Sequence, residues 1–190
     1  MSNNSSLQTE LTQAALAQGA LAVGYTKIRR TQPVMILAFP FSDKWFGHHP
    51  VFINRLFAEK FLLSRQTQGE LAQIIQQAGY KAQFKTAASV FGDFRPLAVA
   101  AGLGDWGKNG LVVHPDHGAN MIFSAVFTDA PLAGEIHQTV NANSSCDNCN
   151  KCHQACPAKA FDGNTFHFHR CFPKAIRGCA ECLAVCVGQP

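Results

Sequence analysis

Charge is scarce in this 190-residue chain: 15% of its residues are Asp, Glu, Lys or Arg, against 47% hydrophobic. That balance excludes an intrinsically disordered chain, which needs high charge and little apolar surface. Long apolar runs are missing too. Stretches such as Val34-Met35-Ile36-Leu37-Ala38-Phe39 fall far short of the roughly 18 residues a membrane-spanning helix needs, so no membrane partner is expected. The opening residues MSNNSSLQTE have neither a cationic start nor an apolar core, and Arg29-Arg30 has no apolar stretch behind it, so no export leader is expected. A cytoplasmic protein is the expectation. Cysteine is absent from the first 145 residues. A chain of this length buries a core without disulfides, as one domain with an appendage or as two small ones.

All eight cysteines fall between Cys146 and Cys186, after the polar stretch Asn141-Ala142-Asn143-Ser144-Ser145. This break places a linker there and divides the chain into residues 1–140 and 141–190. Repeats are confined to the cysteine segment, and no stretch is of low complexity.

The first part reads as mixed α/β. Leu7, Leu11, Ala14 and Ala15 have helical spacing, with Gly19 as a stop. Pro33–Pro40 is a buried strand, and residues 51–78 form a long helix broken near Gly69, with Gly79 behind it. Residues 83–86 form a short strand. Residues 96–101 form a helix with Pro96 in its first turn. Residues 111–114 and 121–127 are two strands joined by the turn Asp116-His117-Gly118.

The segment Cys146-x2-Cys149-x2-Cys152-x3-Cys156-Pro157 is the bacterial ferredoxin run. Two-residue gaps let three thiolates wrap one iron–sulfur cubane, while the fourth, before Pro, ligates the neighbouring cluster. Cys171-x7-Cys179-x2-Cys182-x3-Cys186 repeats the frame with a widened first gap. The crossed pattern gives Cys146, Cys149, Cys152 and Cys186 to one [4Fe–4S] cluster and Cys156, Cys171, Cys179 and Cys182 to a second. None is left over. Disulfides need an oxidising compartment, and structural zinc favours two CxxC pairs, which this run does not provide. Two clusters of about −2 each bring the formal charge of +4 near zero, so net charge does not argue for nucleic acid. His153, His167 and His169 lie among the cysteines and are expected beside the clusters or at the surface.

Gly102-Leu103-Gly104-Asp105-Trp106-Gly107 matches G-x-G-x-x-G. A dinucleotide site needs a strand before that motif and a helix after it. Here a helix precedes and a strand follows, so that reading is rejected. The wider segment AGLGDWGKNGL (101–111), then His114-Pro115-Asp116-His117-Gly118, then Thr128-Asp129-Ala130-Pro131-Leu132, then the cysteine run, resembles the corrinoid iron–sulfur reductases: the epoxyqueuosine reductases and the reductive dehalogenases.

The resemblance implies a truncated nitroreductase-like α/β domain followed by a small ferredoxin-like module with two [4Fe–4S] clusters. It implies a cobalamin fed by those clusters and acting on a small substrate. Gly107, Lys108, Asn109 and Gly110 would line the corrinoid or substrate pocket, glycine letting a flat macrocycle approach the backbone. Lys108 would supply a cation or proton, and Asp93 is a second candidate for acid work. The position where epoxyqueuosine reductases carry their acid falls on Ala88. The chain ends at Pro190 without the helical repeats many of them use against tRNA, so tRNA is not expected as a partner. FMN is a lesser alternative to the corrinoid, and a homodimer is expected from the parent fold.

Trp45-Phe46-Gly47-His48-His49-Pro50 could cap a planar cofactor or ligate cobalt through imidazole, Phe91, Phe94 and Trp106 could wall a pocket, and Asp129 is an acid or a turn residue. The rival function is an electron carrier without chemistry of its own, donating to a partner protein.

Overall fold

The computed structural model describes residues 3–40, 50–85, 93–134, 144–163, 165–177 and 179–186. Helix α1 (Asn3–Ala17) buries Leu7, Leu11 and Ala15, four residues apart on one face. Strands β1 (Ala22–Ile28) and β2 (Gln32–Pro40) form an antiparallel hairpin in which Ala22 faces Ala38 and Ile28 faces Gln32. Helix α2 (Pro50–Gln77) leads to β3 (Ala82–Lys85), and α3 (Arg95–Ala100) to the paired strands β4 (Asp105–Trp106) and β5 (Val112–Val113). Strand β6 (Met121–Thr128) completes a four-stranded sheet in the order β1-β2-β6-β3, with β3 and β6 antiparallel. The short helices α4 (Ser144–Asp147) and α5 (Lys151–Ala155), the hairpin β7 (Phe161–Asp162) and β8 (Thr165–Phe166), and α6 (Phe168–Ala175) and α7 (Glu181–Ala184) follow.

Two compact units result. The first contains α1, β1, β2, α2 from Lys60 onward, β3, α3, and β6 from Ile122. Its core joins Leu11 of α1 and Leu71 and Ile75 of α2 to Met35, Leu37, Phe39 and Val126 of the sheet. Strand β2 is buried on both faces, with Val34 to Phe39 fully enclosed, as a continuous apolar run requires. Against β1, a Cβ added to Gly24 would lie 2.7 Å from the Ala101 carbonyl oxygen. The second unit contains β4, β5 and everything from α4 to α7.

The long helix ends as its sequence suggests. Gly79 (φ +88) lets its own N–H reach the Gln76 carbonyl and the Tyr80 N–H reach that of Ile75, a Schellman closure. Gly69 does not break the helix. Its neighbours Gln68, Leu71 and Ala72 are buried, and their packing outweighs the roughly 1 kcal/mol that glycine costs a helix. Nothing lies within 4 Å of a Cβ built there. Gly69→Ala should therefore stabilise the protein by about 0.5–1 kcal/mol, read as a thermal midpoint about 1–4 °C higher.

Three further features differ from the sequence expectations. β5 pairs backwards with β4 rather than forming a hairpin with β6. The intervening turn closes on itself through the His114–Gly118 bridge. Residue 86, assigned to the third strand, lies outside the described residues, as do Trp45 to His49, Ala88 and Phe91.

Strand β1 was not anticipated at all. Its connection to β2 uses Arg29 (φ +50) and Arg30 (φ +63), with the Thr31 N–H closing on the Ile28 carbonyl at 3.1 Å. This is the left-handed pair that Asn-Gly normally supplies in hairpin turns.

Candidate metal centre

The turn between β4 and β5 is built by its own glycines and asparagine. Gly107 donates its N–H to the Leu111 carbonyl, and Gly110 donates to that of Gly107. The Asn109 side chain, 6% exposed, accepts the Leu111 N–H through Oδ1 at 3.1 Å. A Cβ on Gly107 would stand 2.6 Å from Val113 and 2.8 Å from Asn109. Gly107 is thus glycine for the turn's own packing. A Cβ on Gly110 (φ +72) would meet Phe166 at 3.8 Å, an ordinary contact distance.

Within the same unit this turn meets the cysteines. Cys146, Cys149, Cys152 and Cys186 line one small, nearly apolar cavity together with Lys108, Asn109, Val113, Lys151 and Val185. The Lys108 ammonium donates to the Asp147 carbonyl at 3.0 Å. Cys146 lies on α4, Cys152 on α5 and Cys186 just beyond α7, and α5 packs against α7. That packing brings the last cysteine of the second run to the first three of the first run. Lys151 also lines the cavity, and only its place beside Cys152 marks it in the sequence.

The other four thiols form a neighbouring group. Burial, then Cys156 and Cys179, raise the Cys171 thiol pKa. Burial pushes Cys182 up to about 12, followed by the charges of Cys171 and Cys179 and then of Cys152, from the first group, and Cys156. Cys152 is raised by burial first, then by Cys186, Cys146 and Cys149. All eight are thiols rather than disulfides. Burial and the neighbouring sulfurs favour the protonated thiol, and a cationic core would reverse that preference. Backbone donors already aim at the sulfurs: Ala160 N–H at Cys156 Sγ (3.4 Å) and His153 N–H at Cys152. Among the described residues no three Cys, His, Asp or Glu side chains converge on a single ion. Eight thiols in two neighbouring sets, with backbone N–H groups on their sulfurs, are donors of the kind that hold [4Fe–4S] clusters.

In the metal-free protein, Cys182 should alkylate more slowly at pH 8 than an ordinary exposed thiol, because burial lowers its thiolate fraction. Mass spectrometry of a timed iodoacetamide reaction reads this directly.

Asp93 is placed differently. Both its carboxylate oxygens take the Arg95 guanidinium at 2.8 Å, and Oδ1 also accepts the Arg95 backbone N–H at the start of α3. The hydrogen bonds from Arg95 hold its carboxyl below the ordinary range, so near neutral pH it lacks the proton an acid would give up. Asp129 is a turn residue: Oδ1 accepts the Lys81 N–H at 2.7 Å, and the Thr128 hydroxyl donates to the Lys81 carbonyl at 2.8 Å. The Thr128-Asp129 pair thus fastens the start of β3. Phe94 is buried in the first unit, and Trp106 is 38% exposed in the second. His153 stacks on Phe161 with centroids 4.6 Å apart, and His167 meets His169 edge-on.

No protein-family model matches the chain. It is 29% identical over 137 residues to a tetrachloroethene reductive dehalogenase of Sulfurospirillum multivorans, covering 61% of this chain and 27% of that protein. It is 22% identical over 201 residues to an epoxyqueuosine reductase of Vibrio cholerae, covering 91% and 51%. A solved catabolic reductive dehalogenase in complex with 3-bromo-4-hydroxybenzoic acid matches the fold with a TM-score of 0.78 at 15% identity, over 93% of this chain and 31% of that one. An epoxyqueuosine reductase solved with a tRNA stem loop matches with a TM-score of 0.70 at 15% identity, over 97% and 65%.

The chain is a relative of the reductive dehalogenases and the epoxyqueuosine reductases. It spans about a quarter and about half of the lengths of the two curated relatives. The mixed α/β fold is common to both types of structural neighbour. Among the described residues no helix is long and apolar enough to cross a membrane.

Proposed function

We propose that the chain is an iron–sulfur oxidoreductase in which two [4Fe–4S] clusters feed electrons to a corrinoid that reduces a substrate. Residues 1–140 would form a nitroreductase-like domain and residues 141–190 a ferredoxin-like one. The observation that carries the reading is the division of eight thiols into two groups of four, in the crossed order of paired-cluster ferredoxins. When bound, the clusters supply single electrons and the corrinoid a reducible cobalt. The chain's own residues prepare the site. The N–H groups of Ala160 and His153 draw charge from the sulfurs, and Lys108 and Lys151 offset negative charge around the first group. For the corrinoid, Gly110 and the Lys108 ammonium are the groups that would meet it, with Asn109 and Gly107 holding their turn in shape.

Dehalogenation is the first reading of the reaction, because the curated relative with the higher identity is a dehalogenase. Protein loaded with iron, sulfide and hydroxocobalamin should release bromide from 3-bromo-4-hydroxybenzoic acid under a chemical reductant. No halide from this or from tetrachloroethene would overturn that reaction. A structural neighbour solved with a tRNA stem loop favours epoxyqueuosine in tRNA as the second reading.

A further inference from the structure

His153 stands at the middle of α5 (Lys151–Ala155), between a thiol of each group. Its backbone N–H is directed at Cys152, and its carbonyl accepts the Cys156 N–H at 3.3 Å. Two observations put its side chain on the side of the second group. Among the described residues that wall the first group's cavity, Cys152 is present and His153 is not. The imidazole lies flat on Phe161, with 8° between the ring planes, and Phe161 follows Ala160, whose N–H points at Cys156 Sγ. Phe161 packs in turn on Phe166, with centroids 5.3 Å apart. Within this aromatic stack the His153 Nε2 atom is buried and has no hydrogen-bond partner among the described residues. A ring nitrogen buried beside apolar rings destabilises a fold unless something pairs with it.

We infer that His153 Nε2–H donates a hydrogen bond to a sulfur of the second [4Fe–4S] group, sulfide or thiolate, and so raises the reduction potential of that cluster. The inference rests on the cluster reading above and assigns one side chain to the tuning of one cluster. The sulfurs of such a group are acceptors, so the ring proton sits on Nε2. Reduction adds negative charge to the sulfurs, and a donor aimed at them binds the reduced state more strongly than the oxidised one. One electron enters the cluster; no bond breaks and no proton moves. His153 is therefore a positioning residue, acting on the electron through the cluster, and the Phe161 ring fixes the plane from which it donates.

The test is a potentiometric titration of cluster-loaded protein, read by electron paramagnetic resonance, in which two midpoint potentials are expected. His153→Phe keeps an aromatic ring on Phe161 but has no donor. It should make one of the two reductions about tenfold less favourable, a fall of about 59 mV for one electron, and leave the other unchanged. His153→Gln, whose amide N–H donates from a similar place, should restore most of that fall. Two unchanged potentials in His153→Phe would overturn the inference while leaving the clusters in place. So would two potentials lowered equally, the mark of a general change in packing. A second measurement does not depend on that variant assembling. With ring-15N histidine in a His167→Phe/His169→Phe background, pulsed resonance of the reduced protein should show weak coupling to a ring nitrogen. No coupling, or the strong coupling of a direct iron ligand, would overturn the inference. Protein that takes up no iron would overturn the cluster reading and this inference with it.

Discussion

Cys149→Ala combined with Cys186→Ala should leave one intact cluster, about four irons per chain instead of about eight. Both residues line the same cavity with Cys146 and Cys152, so the pair removes two ligands from one site and none from the other. The remaining group, Cys156, Cys171, Cys179 and Cys182, keeps all four thiolates and should give an unperturbed [4Fe–4S] spectrum on reduction. Cys149→Ala combined with Cys156→Ala takes one ligand from each group and should leave no intact four-thiolate site. If each cysteine run instead bound its own cluster, the two variants would exchange behaviour. Iron and acid-labile sulfide per chain, with electron paramagnetic resonance of the reduced protein, distinguish the two assignments. The crossed outcome is expected because α5 packs on α7 and delivers Cys186 to the first three cysteines.

Gly104→Ala should be the most damaging single change to the turn that carries Lys108. Gly104 has φ +141, and a Cβ built there would stand 2.4 Å from the Val113 carbonyl oxygen and 2.8 Å from its carbon. Those atoms are backbone and cannot swing aside, so β4 would have to leave β5. Backbone strain of about 1–3 kcal/mol adds to overpacking of about 1–3 kcal/mol. A loss of about 2–6 kcal/mol is expected, together with displacement of Lys108 and Asn109 from the cysteine cavity. Gly163→Ala is the matched control. Gly163 is also left-handed, at φ +55, but nothing lies within 4 Å of its Cβ, so only about 1–2 kcal/mol of conformational cost is expected. Urea unfolding of both variants decides the matter: equal midpoints would contradict the close approach of Gly104 to Val113.

Several parts of this molecule are legible in its sequence, for physical reasons. The run from Val34 to Phe39 is apolar on both alternating faces, and β2 is buried on both. Gly19 and Gly79 end their helices because only a left-handed residue closes the carbonyls behind it. The cysteine spacing carries its own geometry. The motif Gly102–Gly107 has helix α3 before it, the two-residue β4 inside it and β5 after it, the reverse of a nucleotide site.

Other parts are settled by tertiary contact. Strand β1 escapes because Arg29-Arg30 carries none of the turn residues that mark a hairpin, yet both adopt positive φ. Gly69 looks like a break when read alone, but buried neighbours carry the helix through it. The pairing of β5 with β4 rests on two residues per strand, too short for any periodicity to announce. Within the site, the place of Lys108 depends on a hydrogen bond to Asp147, 39 positions away. Asp93 has the chemistry of an acid in the sequence and, beside Arg95, that of a held carboxylate in the structure.

The central claim is that the clusters serve a corrinoid, and one titration tests it most directly. The protein is loaded with iron and sulfide without oxygen, hydroxocobalamin is added in steps, and the corrin absorption is followed before and after addition of reductant. Saturable binding at one corrinoid per chain, with the absorption changing as the clusters pass electrons on, is the predicted result. A corrin spectrum unaltered by loaded protein would contradict the account and leave a two-cluster electron carrier.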